Sequence, residues 1–426
     1  LKGMEKVQVL RGFRDIHGEE IERFRLIESA ARAYLGLLGY REIEIPVLEK
    51  TDLFRRSIGD TTDIVEKEMF TFVDRSNESV TLRPEATAGL VRAYLQASFY
   101  AKERTTRLFT IGPMFRHERP QKGRFRQFYQ ADVEIFGIAG PMAETELVWM
   151  VFLLLRDLGV EDYAIEVNSV GCKECRDGFR KALVAYLAER KSGLCEDCVG
   201  RLDRNPLRVF DCKNEQCART ISEAPVLFDY LCGDCKSHFE SFVENLKGLH
   251  VRFIVNKRLV RGLDYYTRTV FEVTSNNLGS QKAFAAGGRY DNLVEDMGGP
   301  SVPGIGFAVG MERLALLIRK PLQKKAPLYF LAAVGEEARK WVIPLLDAFV
   351  SARMPLAYAE PAGSLKSQMK YANSIGANYV LILAGEEVSK GTILVRDMSD
   401  GAQKELPLDP AALPAILTEK ARQAAF

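Results

Sequence analysis

Five cationic side chains, four arginines and Lys122, fall within the eleven residues from Arg116 to Arg126, and an aromatic-polar run, Gln127-Phe128-Tyr129-Gln130, follows. Guanidinium forks match phosphate oxygens two at a time, so a segment of this kind can hold a polyanion. Its Pro120-Gln121-Lys122-Gly123 centre predicts a turn between two strands. A solvated basic hairpin has the same pattern, so the other polar clusters decide the reading. Arg313 follows the glycine-punctuated run Gly304-Ile305-Gly306-Phe307-Ala308-Val309-Gly310, whose alternate glycines would let a strand lie against a flat ligand, or simply pack tightly on a helix. Arg261-Gly262-Leu263-Asp264-Tyr265-Tyr266 sets a cation beside paired phenols, which suits a small ligand bearing both charge and a ring. Ala286-Gly287-Gly288-Arg289-Tyr290-Asp291 predicts a glycine-rich turn beside a further tyrosine. Leu82-Arg83-Pro84-Glu85-Ala86-Thr87 runs from a strand end into a helix start, where Glu85 either caps the helix or grips an ammonium group. No Gly-Lys-Ser/Thr follows a glycine-rich turn, and no Ser/His/Asp or Cys/His set is evident.

A second kind of chemistry is concentrated in one stretch. All eight cysteines lie between residues 172 and 235, as Cys172/Cys175, Cys195/Cys198, Cys212/Cys217 and Cys232/Cys235. In a cytoplasmic chain such spacing favours structural zinc over disulfides, and two sites of four thiolates would use every cysteine. Spacing does not reveal which pairs would share an ion. Reduced cysteines packed in a helical insert remain the alternative.

These residues need elements to position them. With 426 residues, two or three domains are expected. Helices are predicted over 20–38, closed by Gly39, and over 84–98 and 142–158; strands over 40–48, 68–73, 78–82, 107–115, 126–136, 164–170, 252–256 and 263–274. A strand-to-helix unit is predicted at 303–318. After a linker at 321–325 the pattern becomes strand 328–334, helix 336–352, strand 355–359, helix 365–375, strands 379–383 and 392–397, and helix 410–422, as in a small α/β domain with a parallel or mixed sheet. The net charge is only +2, from 59 Lys+Arg against 57 Asp+Glu, so any nucleic acid is met through local patches. The longest apolar run, Leu147 to Leu155, is nine residues, too short for a membrane span. No secretory leader is read at the N-terminus, and a cytoplasmic location is expected.

Together these segments resemble the class II aminoacyl-tRNA synthetases, most closely the family specific for histidine. Gly39 to Leu48 resembles the first class motif, which implies a homodimer interface. Phe115-Arg116-His117-Glu118 with Arg124 and Phe128 resembles the second, and Gly304 to Arg313 the third. The Arg261 and Ala286 segments resemble the two that are particular to the histidine enzymes. Two departures are small: Ala86 and Ala285 stand where the family commonly has Gly and Cys.

The resemblance implies an α/β chain. Its α+β catalytic domain (1–171 and 249–322) would be an antiparallel sheet flanked by helices, interrupted by a cysteine-rich, mainly helical insertion (172–248) and followed by an α/β anticodon-binding domain (326–426). It implies that L-histidine and ATP, with Mg²⁺, form histidyl-adenylate and pyrophosphate, and that histidine then passes to the 3′-terminal ribose of tRNA(His). By position, Arg116 would hold the α-phosphate and Glu118 the adenine amino edge, Phe128 would stack on adenine from below with Arg313 above it and reaching the γ-phosphate, and Arg124 would belong to the same ATP site. Glu85, Thr87 and Gln130 would bind the ammonium end of histidine, and Glu134, Tyr265, Tyr266 and Tyr290 would line the imidazole pocket. Arg261 would face the α-phosphate and the substrate carboxylate, acting with Arg116 in catalysis. The hairpin tip, Arg119 to Gly123, would meet the tRNA acceptor end, and Ser364 to Ala372 resembles part of the anticodon domain. A non-catalytic regulatory relative of a phosphoribosyltransferase is the rival reading. Such relatives usually lack the last domain and the active-site arginines, all of which are present here. An RNA-sensing domain of a kinase is a third reading, but the chain holds no kinase segment.

Overall fold

The structure, a computed structural model of the single chain, describes residues 7–59, 62–204, 206–212, 214–263, 265–279, 282–322, 326–359 and 364–423. Asp264 and the last three residues of the expected linker lie outside that set. The chain divides into two compact units, Leu1–Leu322 and Gln323–Phe426.

The larger unit is built on an eight-stranded sheet. In spatial order its strands are Arg41–Glu42, Thr106–Phe115, Gln127–Phe136, Gly304–Gly310, Ala283–Arg289, Thr267–Thr274, Ala164–Ser169 and Ile254–Val255. The pairings at both edges are parallel and all others antiparallel. Helix Glu19–Leu37 buries Phe24, Ile27, Ala30, Ala31 and Leu35 at helical spacing. It ends in a Schellman closure: Tyr40 N–H donates to Leu35 O (3.0 Å) and Gly39, at φ +74°, to Gly36 O. Helix Met142–Asp157 covers the same face with Leu147, Val148, Val151, Leu154 and Leu155, so the apolar run forms core. No helix among the described residues is long and apolar enough to cross a membrane.

Several expectations are revised here. The segment 40–48 is not one strand: Arg41–Glu42 joins the main sheet and Leu48–Lys50 a separate three-stranded sheet with Ser79–Leu82 and Phe70–Val73. Pro46, which has no N–H to give a ladder, lies in the break. The tyrosine-bearing segment enters its strand only at Thr267. Gly287 and Gly288, read as a turn, sit inside the strand Ala283–Arg289. A Cβ at Gly287 would come within 2.6 Å of Phe307 Cβ, and one at Gly288 within 2.6 Å of Thr269 O, so these glycines serve close strand packing.

The cysteine-bearing stretch is helical among the described residues, with helices Lys173–Ala188, Glu196–Arg204, Glu215–Ile221 and Gly233–Gly248 joined by short 3₁₀ turns. Phe179, Leu183, Leu187 and Val209 pack with four of the cysteines into a core of their own. Helix Gly233–Gly248 serves both cores: Cys235 belongs to this one, while Phe239, Phe242 and Leu246 pack in the core against the main sheet.

The smaller unit is a five-stranded mixed sheet. Strands Leu356–Tyr358, Tyr329–Ala333 and Tyr379–Leu383 are parallel, and Thr392–Asp397 and Gln403–Pro407 continue antiparallel. The expected helix 336–352 is two, Glu336–Arg339 and Val342–Ser351, because Pro344 would clash with the Lys340 carbonyl and lacks a donor. Helix Gly385–Lys390 and the edge strand Gln403–Pro407, which buries only Leu406, were not foreseen.

Candidate functional site

The strand Gln127–Phe136 lies in the middle of the large sheet, and its even-numbered residues Phe128, Gln130, Asp132 and Glu134 share one face. The flanking strands are small where these residues need room. Gln130, Asp132 and Glu134 sit opposite Gly310, Ala308 and Gly306 on one side, and opposite Gly112, Thr110 and Leu108 on the other. The result is a trough that opens into a cleft lined by residues of this strand and of Gly304–Gly310.

Of the two uses open for the alternate glycines of 304–310, contact with a flat ligand and tight packing, Gly304 and Gly306 serve packing, against neighbouring side chains. A Cβ on Gly306 would collide with the Glu134 carboxylate, and one on Gly304 would come within 2.7 Å of the Tyr290 ring. They make room for protein side chains. Only Gly310, whose added Cβ would have Phe284 O at 3.6 Å as its nearest neighbour, leaves its space to the cleft.

The floor of the cleft is acidic. Glu134, 1 % exposed, accepts from Thr87 Oγ1 (2.7 Å) and from the Tyr290 hydroxyl. Both oxygens of Glu85 cap the helix Thr87–Gln96, accepting from Thr87 N–H (2.8 Å) and Ala88 N–H (2.9 Å), so the capping role is realised. Asp132, 2 % exposed, leaves Oδ2 without a hydrogen-bond partner, as Gln130 does Oε1. Burial pushes the carboxyls of Glu134 and Asp132 well above their ordinary range and that of Glu85 upward, and repulsion from neighbouring carboxyls adds to the rise at Asp132 and Glu134. Tyr265 stands 4.7 Å from Tyr266 and 5.6 Å from Tyr290 between ring centroids, which closes an aromatic wall over this floor.

The opposite end is basic. Arg116 lies 5.3 Å from the Phe128 ring centroid and donates from Nε to Pro84 O (2.8 Å). Arg124 pairs with Glu118 across the hairpin base. Arg313 anchors on Gly123 O (3.2 Å) and Ala283 O, and Arg261 pairs with Glu272. Burial lowers the guanidinium pKa of Arg116, Arg124 and Arg313, and the three repel one another. The cleft is therefore divided in charge, with carboxyls gathered along its floor and four arginines at its rim, two of them paired with Glu118 and Glu272.

Every expected ligand-binding residue lines this cleft except Glu134, which sits just beneath it, hydrogen-bonded to two that do. Five polar residues were given no role by the sequence reading. Asp132 shares the two-residue period of Gln130 and Glu134, a signal that was available. Glu312, 4 % exposed, accepts from Tyr129 N–H (3.0 Å), and burial pushes its carboxyl up to about 7. Arg289, fully buried, grips both oxygens of Glu144 (2.6 and 2.7 Å), Ile138 O (2.9 Å) and Gly140 O (3.1 Å), and His238 bonds Glu144 as well (2.6 Å). Burial alone would raise Glu144, but Arg289 and His238 bring it below its ordinary value. This network fixes the strand end that carries Tyr290. No local pattern marks it, because its members come from three distant segments.

Away from the cleft, the thiols gather into two groups, Cys172/Cys175/Cys232/Cys235 and Cys195/Cys198/Cys212/Cys217. In each group the four sulfurs lie within 4.8 Å of one another, a donor set and spacing that fit one soft metal ion.

A family model described as histidyl-tRNA synthetase matches residues 12–314, and one described as an anticodon binding domain matches residues 330–413. The chain is 48% identical over 423 residues to the histidine--tRNA ligase of Desulfosudis oleivorans, covering 97% of this chain and 99% of that one. It is 45% identical over 409 residues to the one from Geobacter sulfurreducens, covering 96% and 99%. Among solved structures, apo S. aureus histidyl-tRNA synthetase superposes with a TM-score of 0.79 at 30% identity, covering 96% of this chain and 99% of that one. A Bacillus halodurans protein titled as an ATP phosphoribosyltransferase regulatory subunit/histidyl-tRNA synthetase shares the fold, with a TM-score of 0.65, 20% identity, and 90% and 100% covered.

Proposed function

The chain belongs to the histidyl-tRNA synthetase family and is a histidine–tRNA ligase, and we propose that the bipolar cleft is where it joins L-histidine to ATP. The observation that carries this reading is the separation of charge: three buried carboxylates with an orphaned oxygen at one end, and four arginines at the other. An amino acid's ammonium completes the first, and the polyphosphate of ATP, entering with Mg²⁺ as part of the substrate, completes the second.

In this reading, Glu85, Thr87 and Gln130 receive the ammonium group, with Asp132 beneath them. Glu134, Tyr265, Tyr266 and Tyr290 receive the imidazole, whose ring nitrogens match hydroxyl and carboxyl partners that an apolar side chain would leave unpaired. Adenine lies on Phe128 with Glu118 at its amino edge, and Arg124 and Arg313 hold the outer phosphates. Arg116 and Arg261 flank the α-phosphorus. The substrate carboxylate attacks that phosphorus and pyrophosphate leaves, so no protein nucleophile is required. Catalysis then rests on alignment and on charge stabilisation by the two arginines. In the second step a ribose hydroxyl of the 3′-terminal nucleotide of tRNA(His) attacks the activated carbonyl, AMP leaves, and the exposed hairpin tip around Arg119 meets the acceptor end.

The helix Leu365–Ser374 supports an anticodon-reading role for the smaller unit. Gln368 is buried and fixed to Ala333 O (2.9 Å), while Lys366, Lys370 and Tyr371 are exposed to stack on and pair with splayed bases. The exposed apolar side chains Val47, Leu48, Phe72 and Val73 around the three-stranded sheet support a homodimer through the first class motif. A cytoplasmic location accords with free thiols. The test is histidine-dependent pyrophosphate–ATP exchange. Robust exchange with histidine and none with other amino acids is expected, and no exchange by the folded protein would overturn the proposal.

A further inference from the structure

We propose that the insertion carries two mononuclear zinc sites, one bound by Cys172, Cys175, Cys232 and Cys235 and the other nested within it, bound by Cys195, Cys198, Cys212 and Cys217. The sequence supplied four pairs and no pairing; the fold supplies the pairing. The outer site joins the first and last pairs of the stretch, and the inner site joins the middle two.

The geometry selects the metal class. In a tetrahedron with Zn–S near 2.3 Å the sulfurs are about 3.8 Å apart. The observed separations are 3.6 Å for Cys172–Cys175, 4.0 Å for Cys172–Cys232 and 3.8 Å for Cys195–Cys212. A disulfide would need about 2.05 Å, and all eight thiols are free. An iron–sulfur cluster has to enclose several iron and sulfide atoms between its cysteines, and sulfurs all within 4.8 Å leave no such space.

The backbone is arranged for the same purpose at both sites. Cys172 and Cys232 each occupy the N-cap of a long helix, with Cys175 and Cys235 in the first turn, so the four sulfurs converge at the N-termini of two helices. Cys232 N–H donates to Cys175 Sγ (3.1 Å), and the inner site repeats the contact, Cys195 N–H to Cys217 Sγ (3.1 Å). In each group two cysteines are buried and two are partly exposed.

The outer site lies at the neck of the insertion, next to the ceiling of the cleft. Gly171 O, one residue before Cys172, accepts from Arg268 N–H (2.9 Å), and Arg176, one residue after Cys175, donates to Tyr266 O (3.1 Å). From between the inner ligands Cys198 and Cys212, Arg208 donates to Gly262 O. Both ions therefore brace the segment that carries Arg261, Tyr265 and Tyr266. This inference stands apart from the proposed reaction: the sites would exist whatever the cleft binds.

The test is metal analysis of the full chain, purified under reducing conditions without chelator. Close to two zinc ions per chain are expected, one for each thiol group. Less than about half an ion per chain, or iron in place of zinc, overturns the proposal. Pairing is tested by double variants. Cys172→Ser with Cys232→Ser should lose one ion and retain the other, whereas Cys172→Ser with Cys198→Ser should lose both; the opposite pattern refutes the assignment. Because a variant can misfold, the intact protein refolded with Co²⁺ provides an independent reading, the strong visible bands of tetrahedral cobalt thiolate at two equivalents; their absence counts against both sites. Stripping the metal should quicken amide hydrogen exchange between Arg261 and Arg268, and unchanged exchange there would remove the bracing role.

Discussion

Gly306→Ala isolates the geometry of the acidic floor from its chemistry, because it alters no polar group. Gly306 pairs with Glu134 across the sheet, and an added Cβ would sit 2.6 Å from Val133 O and inside the Glu134 carboxylate. A strand in the middle of an eight-stranded sheet cannot retreat, so the carboxylate must turn away. Turning it breaks the bonds from Thr87 Oγ1 (2.7 Å) and the Tyr290 hydroxyl. At about 1–1.5 kcal/mol for each bond, the loss is about 2–3 kcal/mol. If those groups position the imidazole, kcat/KM for histidine falls by about 30- to 150-fold. The Michaelis constant for ATP, bound at the basic end, should stay within about threefold of wild type. Pyrophosphate exchange at varied histidine and varied ATP measures both. Gly310→Ala on the same strand is the control, because its Cβ would meet nothing closer than Phe284 O at 3.6 Å and should leave Glu134 in place. Histidine kinetics within threefold of wild type in Gly306→Ala, with the protein folded, would refute the role assigned to this trough.

Three further outcomes test separate parts of the molecule. Arg261→Ala should cut the exchange rate by about 100-fold or more while histidine affinity measured by calorimetry changes little, as expected for a group acting on the transition state; equal losses would contradict that role. Burial raises the Glu312 carboxyl to about 7, so the folded state holds a proton that the unfolded chain releases above its ordinary value of 4.5. That contribution to stability is complete below the unfolded pKa and is lost as pH rises through about 7. Glu312→Gln, neutral throughout, should therefore gain melting temperature relative to wild type between pH 5 and pH 8, and parallel melting curves across that range would count against it. Arg289→Met leaves Glu144 buried without its strongest partner and should destabilise the larger unit by about 3–5 kcal/mol in urea titration, with partial recovery when Glu144→Gln is added. A loss below about 1 kcal/mol would show that the buried pair is dispensable.

The sequence alone determined the chemistry and most of the elements. Arg116, Arg124, Arg261 and Arg313 could be picked out as cations beside glycine-rich and aromatic runs, and the family resemblance supplied their roles. The helix Glu19–Leu37 was legible because it buries one face at helical spacing, and the hairpin 106–136 because two apolar runs flank a Pro-Gln-Lys-Gly turn. Less legible was whatever depends on partners distant in the chain. Gly287 and Gly288 have the local signature of a turn, and only the approach of Phe307 and Thr269 makes them strand. Glycines 304 and 306 could have faced a ligand or served tight packing, and the fold decides for packing by filling their space with Tyr290 and Glu134. The edge strand Gln403–Pro407 shows little alternation because only Leu406 along it is buried. Asp132 carried a readable period yet gains its meaning from the burial and neighbouring carboxyls that leave its oxygen unsatisfied. For the cysteines, sequence spacing fixed the ligand type and the number of pairs, but which pairs meet depends on how the helices fold back. Side-chain type and local period are properties of a segment, whereas burial, charge balance and pairing are properties of several segments brought together, and these only the tertiary structure decides.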